Sequence, residues 1–168
     1  TTNMLRAVGK KAAIITLICD ILKGVVAILI AMLIGNIVDG SNGALLVQIA
    51  GIAVIIGHTF PVFFKFKGGK GVATSLGVLI MSNWQIGLIC LVFALVLMAL
   101  TQMVSVGSIA AAILYPVLTL FIPQNYIVSG NYLIYSIILA FLVVFNHREN
   151  VKRLLNGTEN KISFKTVK

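Results

Sequence analysis

A 168-residue chain that is 60% hydrophobic and only 10% charged, with a mean hydropathy of +1.08, cannot be an ordinary soluble domain. Its apolar residues come in long runs rather than short alternating strands, which argues against a β-barrel and predicts an all-α integral membrane protein, a polytopic helical bundle forming one domain over 1–168. The net charge of +9 sits in short clusters between those runs, so it reads as a determinant of membrane orientation, and no nucleic-acid partner is expected.

In chain order, the opening Thr1 to Lys11 lacks an initiator Met and a signal-peptide pattern, and a preceding segment is expected. Arg6, Lys10 and Lys11 lead into a first apolar run, Ala12 to Ile34, long enough to span at ~1.5 Å per residue. Asp20 and Lys23 interrupt it at i and i+3. They share one helix face and should turn toward protein or water, either as a buried ionic contact or as part of a site. Asp39-Gly40-Ser41-Asn42-Gly43 is turn chemistry without positive charge, as the outer side of a membrane requires. The run from Ala44 to Phe64 returns, with His58 and Pro61 near its end. A short apolar segment from Gly71 to Met81 follows, then a break at Ser82-Asn83, a run from Trp84 to Leu100 and a second break at Thr101-Gln102. A segment to about Ile122, kinked at Pro116, a loop through Asn131 and a last run from Tyr132 to Phe145 complete about six spans. If each crosses, the lysines after Phe64, a turn over Ser105 to Ser108 and the tail after Phe145 all lie inside. Tyr115, Tyr126, Tyr132 and Tyr135 are candidate interfacial or core aromatics. Cys19 and Cys90 sit within apolar runs as small hydrophobes.

The stretch from Gly57 to Gly77 is the chemical centre of the chain. Lys65, Lys67 and Lys70 alternate with Gly68, Gly69 and Gly71, and no other lysine or arginine occurs between Lys23 and Arg148. Small residues let backbone N–H groups converge and lysines add charge, which predicts a cradle for a phosphate-type anion. A loop that only sets orientation needs the lysines but has no use for Gly-Gly-Lys-Gly. The tail reads as a short amphipathic helix stopped at Gly157, with His147, Asn150 and Leu154 near one face and Glu149, Lys152 and Arg153 on another. One face can point inward to the lysines; the competing reading is a basic helix lying on the membrane surface. Other chemistries fit poorly: Gly69-Lys70 is followed by Gly71 rather than Ser or Thr, the two histidines lie far apart, and no Gly-x-Ser-x-Gly occurs. A small anion transporter with Asp20 and Lys23 as a relay is the main alternative, against which polar residues cluster at one end instead of along a path.

Three clusters carry a family resemblance: Thr-Asn-Met-Leu-Arg at 2–6, the Gly-His…Pro…Phe-Lys-Gly-Gly-Lys-Gly-Val-Ala-Thr stretch at 57–74, and His-Arg-Glu-Asn-Val-Lys-Arg-Leu-Leu…Gly-Thr-Glu at 147–159. Together they resemble the bacterial membrane acyl-phosphate:glycerol-3-phosphate acyltransferases over nearly the whole chain. The resemblance implies seven helices, the first of which would precede Thr1 along with the Ser-Gly-Asn start of the first motif. It implies a multi-pass protein of the bacterial cell (inner) membrane with its site facing the cytoplasm. The implied reaction moves a fatty acyl group from acyl phosphate to the sn-1 hydroxyl of glycerol 3-phosphate, giving lysophosphatidic acid and phosphate, with no cofactor, no metal and no obligate protein partner. By position, the resemblance assigns Thr2, Asn3 and Arg6 to the first motif and His58, Lys65, Lys67, Gly68, Gly69, Lys70, Gly71 and Thr74 to the second. Ser105 and Ser108 match a Val-Ser-Leu-Gly-Ser element with Val106 in place of Leu, and His147, Glu149, Asn150 and Arg153 match the third motif. Both substrates carry phosphate, so two anion sites are expected: Lys67, Lys70 and the glycine amides for acyl phosphate, and Arg6, Lys65, Asn150 and His147 for glycerol 3-phosphate. His147, Lys67 and Ser105 are the catalytic candidates. His147 ranks ahead of His58 as general base, and the substrate's own phosphate is the alternative.

Overall fold

A computed structural model of the chain describes residues 4, 8–38, 43–122 and 131–162. Among them every regular element is helical: α1 (Lys10–Val38), α2 (Gly43–Thr59), a 3-10 turn (Val62–Phe64), α3 (Val72–Ser82), α4 (Trp84–Thr101), α5 (Val104–Phe121), α6 (Tyr132–Asn146) and α7 (Arg148–Leu155). Hydropathy marks these elements well, because in hydrocarbon each backbone polar group must be satisfied within its own helix. The turn at 39–42, most of the loop at 123–130 and Tyr126 lie outside the described residues.

The α2–α3 connection, the α4–α5 turn and the α6–α7 corner fall at one end of the bundle, as the expected spans require. Among the described residues four helical stretches are long and apolar enough to cross, and α6 passes the same test only when taken together with α7, from which it is bent by 61°. α3 has 11 residues, about 16 Å of helix, and is the shortest of the apolar helices. Ser82 and Asn83 then turn the chain: Asn83 leaves the helical region and its Oδ1 accepts from Ile86 N at 3.2 Å, capping α4. The second span runs from Gly43 to Phe64, close to the expected bounds, and its last turn, after Pro61, is 3-10. His58 lies in the final α-helical turn of that span.

α1 packs chiefly on α3 and α2, α4 on α5, and α5 on α6. Lipid offers helices no hydrophobic incentive to associate, so close backbone approach does the work. A Cβ on Gly24 of α1 would meet the Thr74 carbonyl of α3, and one on Gly77 of α3 would meet the Ile21 carbonyl of α1. Ile28, Val47, Ile55, Val78, Ile86 and Leu139 fill the centre. Three of the four tyrosines join them there: Tyr115 and Tyr132 share a 2.9 Å hydroxyl hydrogen bond, and Tyr132 stacks obliquely on Tyr135. Ile14, Ile18, Leu22, Leu29 and Leu33 of α1 face outward, as a lipid-facing surface must.

Ser105 and Ser108 lie in the first turns of α5, not in a loop. The turn is made before them by Gln102, whose φ is 58°. α7 ends as predicted: Gly157 takes φ 67°, and Thr158 N donates to Arg153 O at 2.8 Å.

Candidate functional site

The α2–α3 connection, the start of α5 and the α6–α7 corner meet at one end of the bundle. Asn146 ties two of them together, its Nδ2 donating to Thr59 Oγ1 at 3.1 Å and to the Lys70 carbonyl at 3.4 Å. The segment after α7 folds back onto the α4–α5 turn, where Ile162 N donates to Gln102 O at 2.6 Å.

Glu159 organises the tail. Its Oε1 accepts from Ser105 Oγ at 2.9 Å and Asn150 Nδ2 at 2.8 Å, and its Oε2 accepts from Arg153 Nε at 2.9 Å. Burial opposes ionisation of this carboxyl, but the hydrogen bonds from Asn150, Ser105 and Arg153 outweigh it and hold the pKa below the usual glutamate value. Asn150 uses its other end for Lys70, whose ammonium donates to Oδ1. The amide can face only this way, since a carboxylate accepts and an ammonium donates. Asn150 carries no charge, so the contact positions the Lys70 cation without cancelling it.

His147 sits in the corner between α6 and α7, 2% exposed. Its Nδ1 lies 2.7 Å from the Val143 carbonyl. A carbonyl only accepts, so the proton belongs on Nδ1 and the lone pair on Nε2. Burial lowers its pKa and the nearby Lys70 adds to this, against the raising effects of the Val143 hydrogen bond and Glu159. A neutral imidazole with an open Nε2 is the form that a general base requires.

On the other side of the Gly68–Lys70 segment lies an open cleft of about 630 Å³ lined by Asp20, Lys23, His58, Phe64, Lys67 and Gly69, among others. Asp20 and Lys23 do form the expected pair, at 2.8 Å, with Asp20 buried. His58 completes it, its Nδ1 lying 3.3 Å from Lys23 Nζ and 3.5 Å from Asp20 Oδ1.

The glycines act differently from the cradle expected of them. Gly68 N donates to Thr59 O at 3.0 Å and Gly69 N to His58 O at 3.3 Å, so these amides are consumed inside the protein. They are glycines because nothing larger fits: a Cβ on Gly68 would meet the Thr59 and His58 carbonyls and Pro61, and one on Gly69 would strike the His58 imidazole. The next N–H groups along the chain belong to the first turn of α3, which Gly71 opens with φ 82°. The first donors of a helix have no intrahelical partner and are an anion site by geometry and dipole.

Lys70, Ser105, His147, Asn150 and Arg153 are thus brought together, and His58, Lys67, Gly68 and Gly69 line the adjoining cleft. Other candidates stand apart. Lys65, in a left-handed conformation at φ 54°, is exposed. Glu149 pairs only with Lys152, at 3.4 Å, on the open surface. Ser108 Oγ bonds the Val104 carbonyl of its own helix at 2.9 Å, and Thr74 is fully buried against α1. Thr2, Asn3 and Arg6 lie outside the described residues. Glu159 and Asn146 were not among the predicted site residues. Two signals pointed to Glu159: it closes the third cluster at 147–159, and it is one of only 4 acidic residues in the chain.

Comparison with known proteins gives a consistent result. The sequence profile of a family described as Glycerol-3-phosphate acyltransferase matches residues 1–157. Proteins of that name from Thermoanaerobacter sp. (strain X514) and Clostridioides difficile (strain 630) are 46% and 41% identical to this chain, in each case over 98% of it and 78% of the relative. Two crystal structures of PlsY (YgiH), an integral membrane glycerol 3-phosphate acyltransferase, share the fold with 35% identity and cover 96% of this chain. The glycerol 3-phosphate form superposes with a TM-score of 0.84 over 76% of its length, and the lysophosphatidic acid form with 0.83 over 78%.

Proposed function

This chain belongs to the glycerol-3-phosphate acyltransferase family, and from that premise we propose that it takes its fatty acyl group from acyl phosphate at the Lys70–Asn150–His147 end of the bundle. It is an acyltransferase acting on glycerol 3-phosphate in a membrane, and the product is lysophosphatidic acid. The sn-1 hydroxyl oxygen attacks the acyl carbonyl carbon, the carbon–oxygen bond to phosphate breaks, inorganic phosphate leaves, and the hydroxyl proton passes to a base. An acyl phosphate is an anhydride already activated for this exchange. The site need only orient the two partners and stabilise charge on the carbonyl oxygen and the leaving phosphate.

The observation that carries this reading is the Lys70 ammonium, held by a neutral amide beside the open N-terminus of α3. Lys70 and the first amides of α3 take the leaving phosphate. Lys67 and Lys23 bring positive charge to the cleft side, where the second phosphate binds against His58. His147 Nε2 accepts the hydroxyl proton, and Ser105 works through Glu159 to hold Asn150 in register.

The basic end faces the cytoplasm of a bacterial inner membrane on the positive-inside rule, since Lys65, Lys67, Lys70, Arg148, Lys152 and Arg153 gather there. The donor is tested by supplying purified protein in lipid with glycerol 3-phosphate and either palmitoyl phosphate or palmitoyl-CoA. Lysophosphatidate with equimolar inorganic phosphate from the first donor alone is expected; product from the thioester alone would overturn the assignment.

A further inference from the structure

The connection between α2 and α3 begins with a turn whose large side chains the fold leaves outside. Phe64 N and Phe66 N donate to the Pro61 carbonyl at 3.1 and 3.0 Å, and Lys67 N donates to the Phe64 carbonyl at 3.1 Å. The last of these bonds closes a four-residue turn, Phe64 to Lys67, whose central residues Lys65 and Phe66 both take positive φ, 54° and 58°. Glycine or asparagine normally fills such positions, because a Cβ there crowds the neighbouring backbone. The backbone holds this turn by itself, and the side chains point away from the bundle. Phe63 is 96% exposed, more than any other large apolar residue described, and Val62, Phe64 and Phe66 are exposed beside it.

Two further observations indicate what covers this patch. The second span, Gly43–Phe64, ends within it, which sets the aromatics where hydrocarbon gives way to headgroups. Lys65 stands exposed between Phe64 and Phe66, and among the described residues it has no ion-pair partner; Asp20, the acid on the cleft side, pairs with Lys23. A contiguous apolar surface marks a contact, and a cation set among aromatics at the end of a span is complementary to an anionic headgroup above its acyl chains.

We propose that the turn from Phe60 to Lys67 is a lipid-binding element, with Phe63, Phe64 and Phe66 seated at the acyl boundary of the bilayer and the Lys65 ammonium holding the phosphate of an anionic phospholipid. The contact lies on the outside of the protein, away from Lys70 and His147, and it does not depend on acyl transfer. Free phosphate would satisfy Lys65 but leave the aromatics uncovered, so the ligand is the membrane lipid.

The test places a single tryptophan on the turn, Phe63→Trp in a Trp84→Phe protein, in bilayers where either phosphatidylcholine or phosphatidylglycerol carries bromine on its acyl chains. Both brominated lipids should quench the emission, and phosphatidylglycerol should bind about three- to fivefold more strongly, the factor that one lysine at an anionic surface supplies. Lys65→Gln and molar salt should each bring the two lipids to parity, while millimolar inorganic phosphate should leave the preference in place. If Phe63→Trp does not fold, Phe66→Trp carries the reporter. Equal quenching by the two lipids with Lys65 present overturns the headgroup contact, and a preference abolished by inorganic phosphate overturns the lipid as its source. No quenching by either lipid overturns the membrane contact itself and assigns the patch to water or to a second copy of the chain.

Discussion

The loop between α2 and α3 and the tail after α6 are both short, basic and polar, yet they are held by opposite means. In the loop the backbone is committed: Gly68 and Gly69 lie against the end of α2 and donate to its carbonyls, while Lys65 and Lys67 reach outward. In the tail the side chains are committed, with Ser105, Asn150 and Arg153 converging on one carboxylate. The cations are thus engaged by different means: Arg153 is fixed by the Glu159 carboxylate and Lys23 by Asp20, whereas Lys70 is steadied by the neutral amide of Asn150.

Removing the acid should have the largest effect. Glu159→Ala strands a guanidinium, an amide and a hydroxyl at once, and should cost about 3 kcal/mol and nearly all activity. Thermal unfolding and acyl-transfer rates of the same preparation would check this; a variant with unchanged melting would show that the tail is not held by Glu159. Next in size is His147→Ala, expected to lower the rate by about a hundredfold or more if Nε2 takes the proton.

The pH dependence sharpens the same point. His147 has a lowered folded pKa, so the unfolded state binds more protons near the ordinary histidine value and the His147 contribution is lost as pH falls below it. The acid limb of the wild-type rate profile should therefore lie below pH 6.5 and vanish in His147→Ala. Glu159 adds a second acid sensitivity at lower pH, because its stabilisation is present above the unfolded glutamate pKa and disappears as pH falls through the depressed folded one.

The loop breaks differently. Gly69→Ala should cost about 1 to 3 kcal/mol, since its methyl group strikes the His58 ring. Adding His58→Ala should return much of that loss, and a double-mutant cycle on melting temperature without such coupling would contradict the close-approach account. Smallest of all is Glu149→Gln. Its partner Lys152 is 71% exposed, and an exposed pair is worth about 0.5 kcal/mol or less.

Much of this was legible in the amino-acid order. The helices follow the apolar runs, the Asp20–Lys23 pair follows from i, i+3 spacing, and the Gly157 stop follows from glycine's tolerance of positive φ. What was hidden depends on packing. Glycine serves equally for an open amide or for close approach, and only the position of His58 decides between them at Gly69. The third partner of Asp20 and Lys23 sits on the next helix, and the three donors to Glu159 come from α5 and α7, so no local spacing encodes them.

The most direct trial of the account is Lys70→Ala against the wild-type protein in lipid, following lysophosphatidate from palmitoyl phosphate and glycerol 3-phosphate. The account predicts a fall of about a hundredfold or more in kcat/KM with little change in melting temperature, since the ammonium stabilises charge in the transition state more than it stabilises the fold. A folded variant that transfers the acyl group at the wild-type rate would contradict it, and would remove the anion site from this end of the bundle.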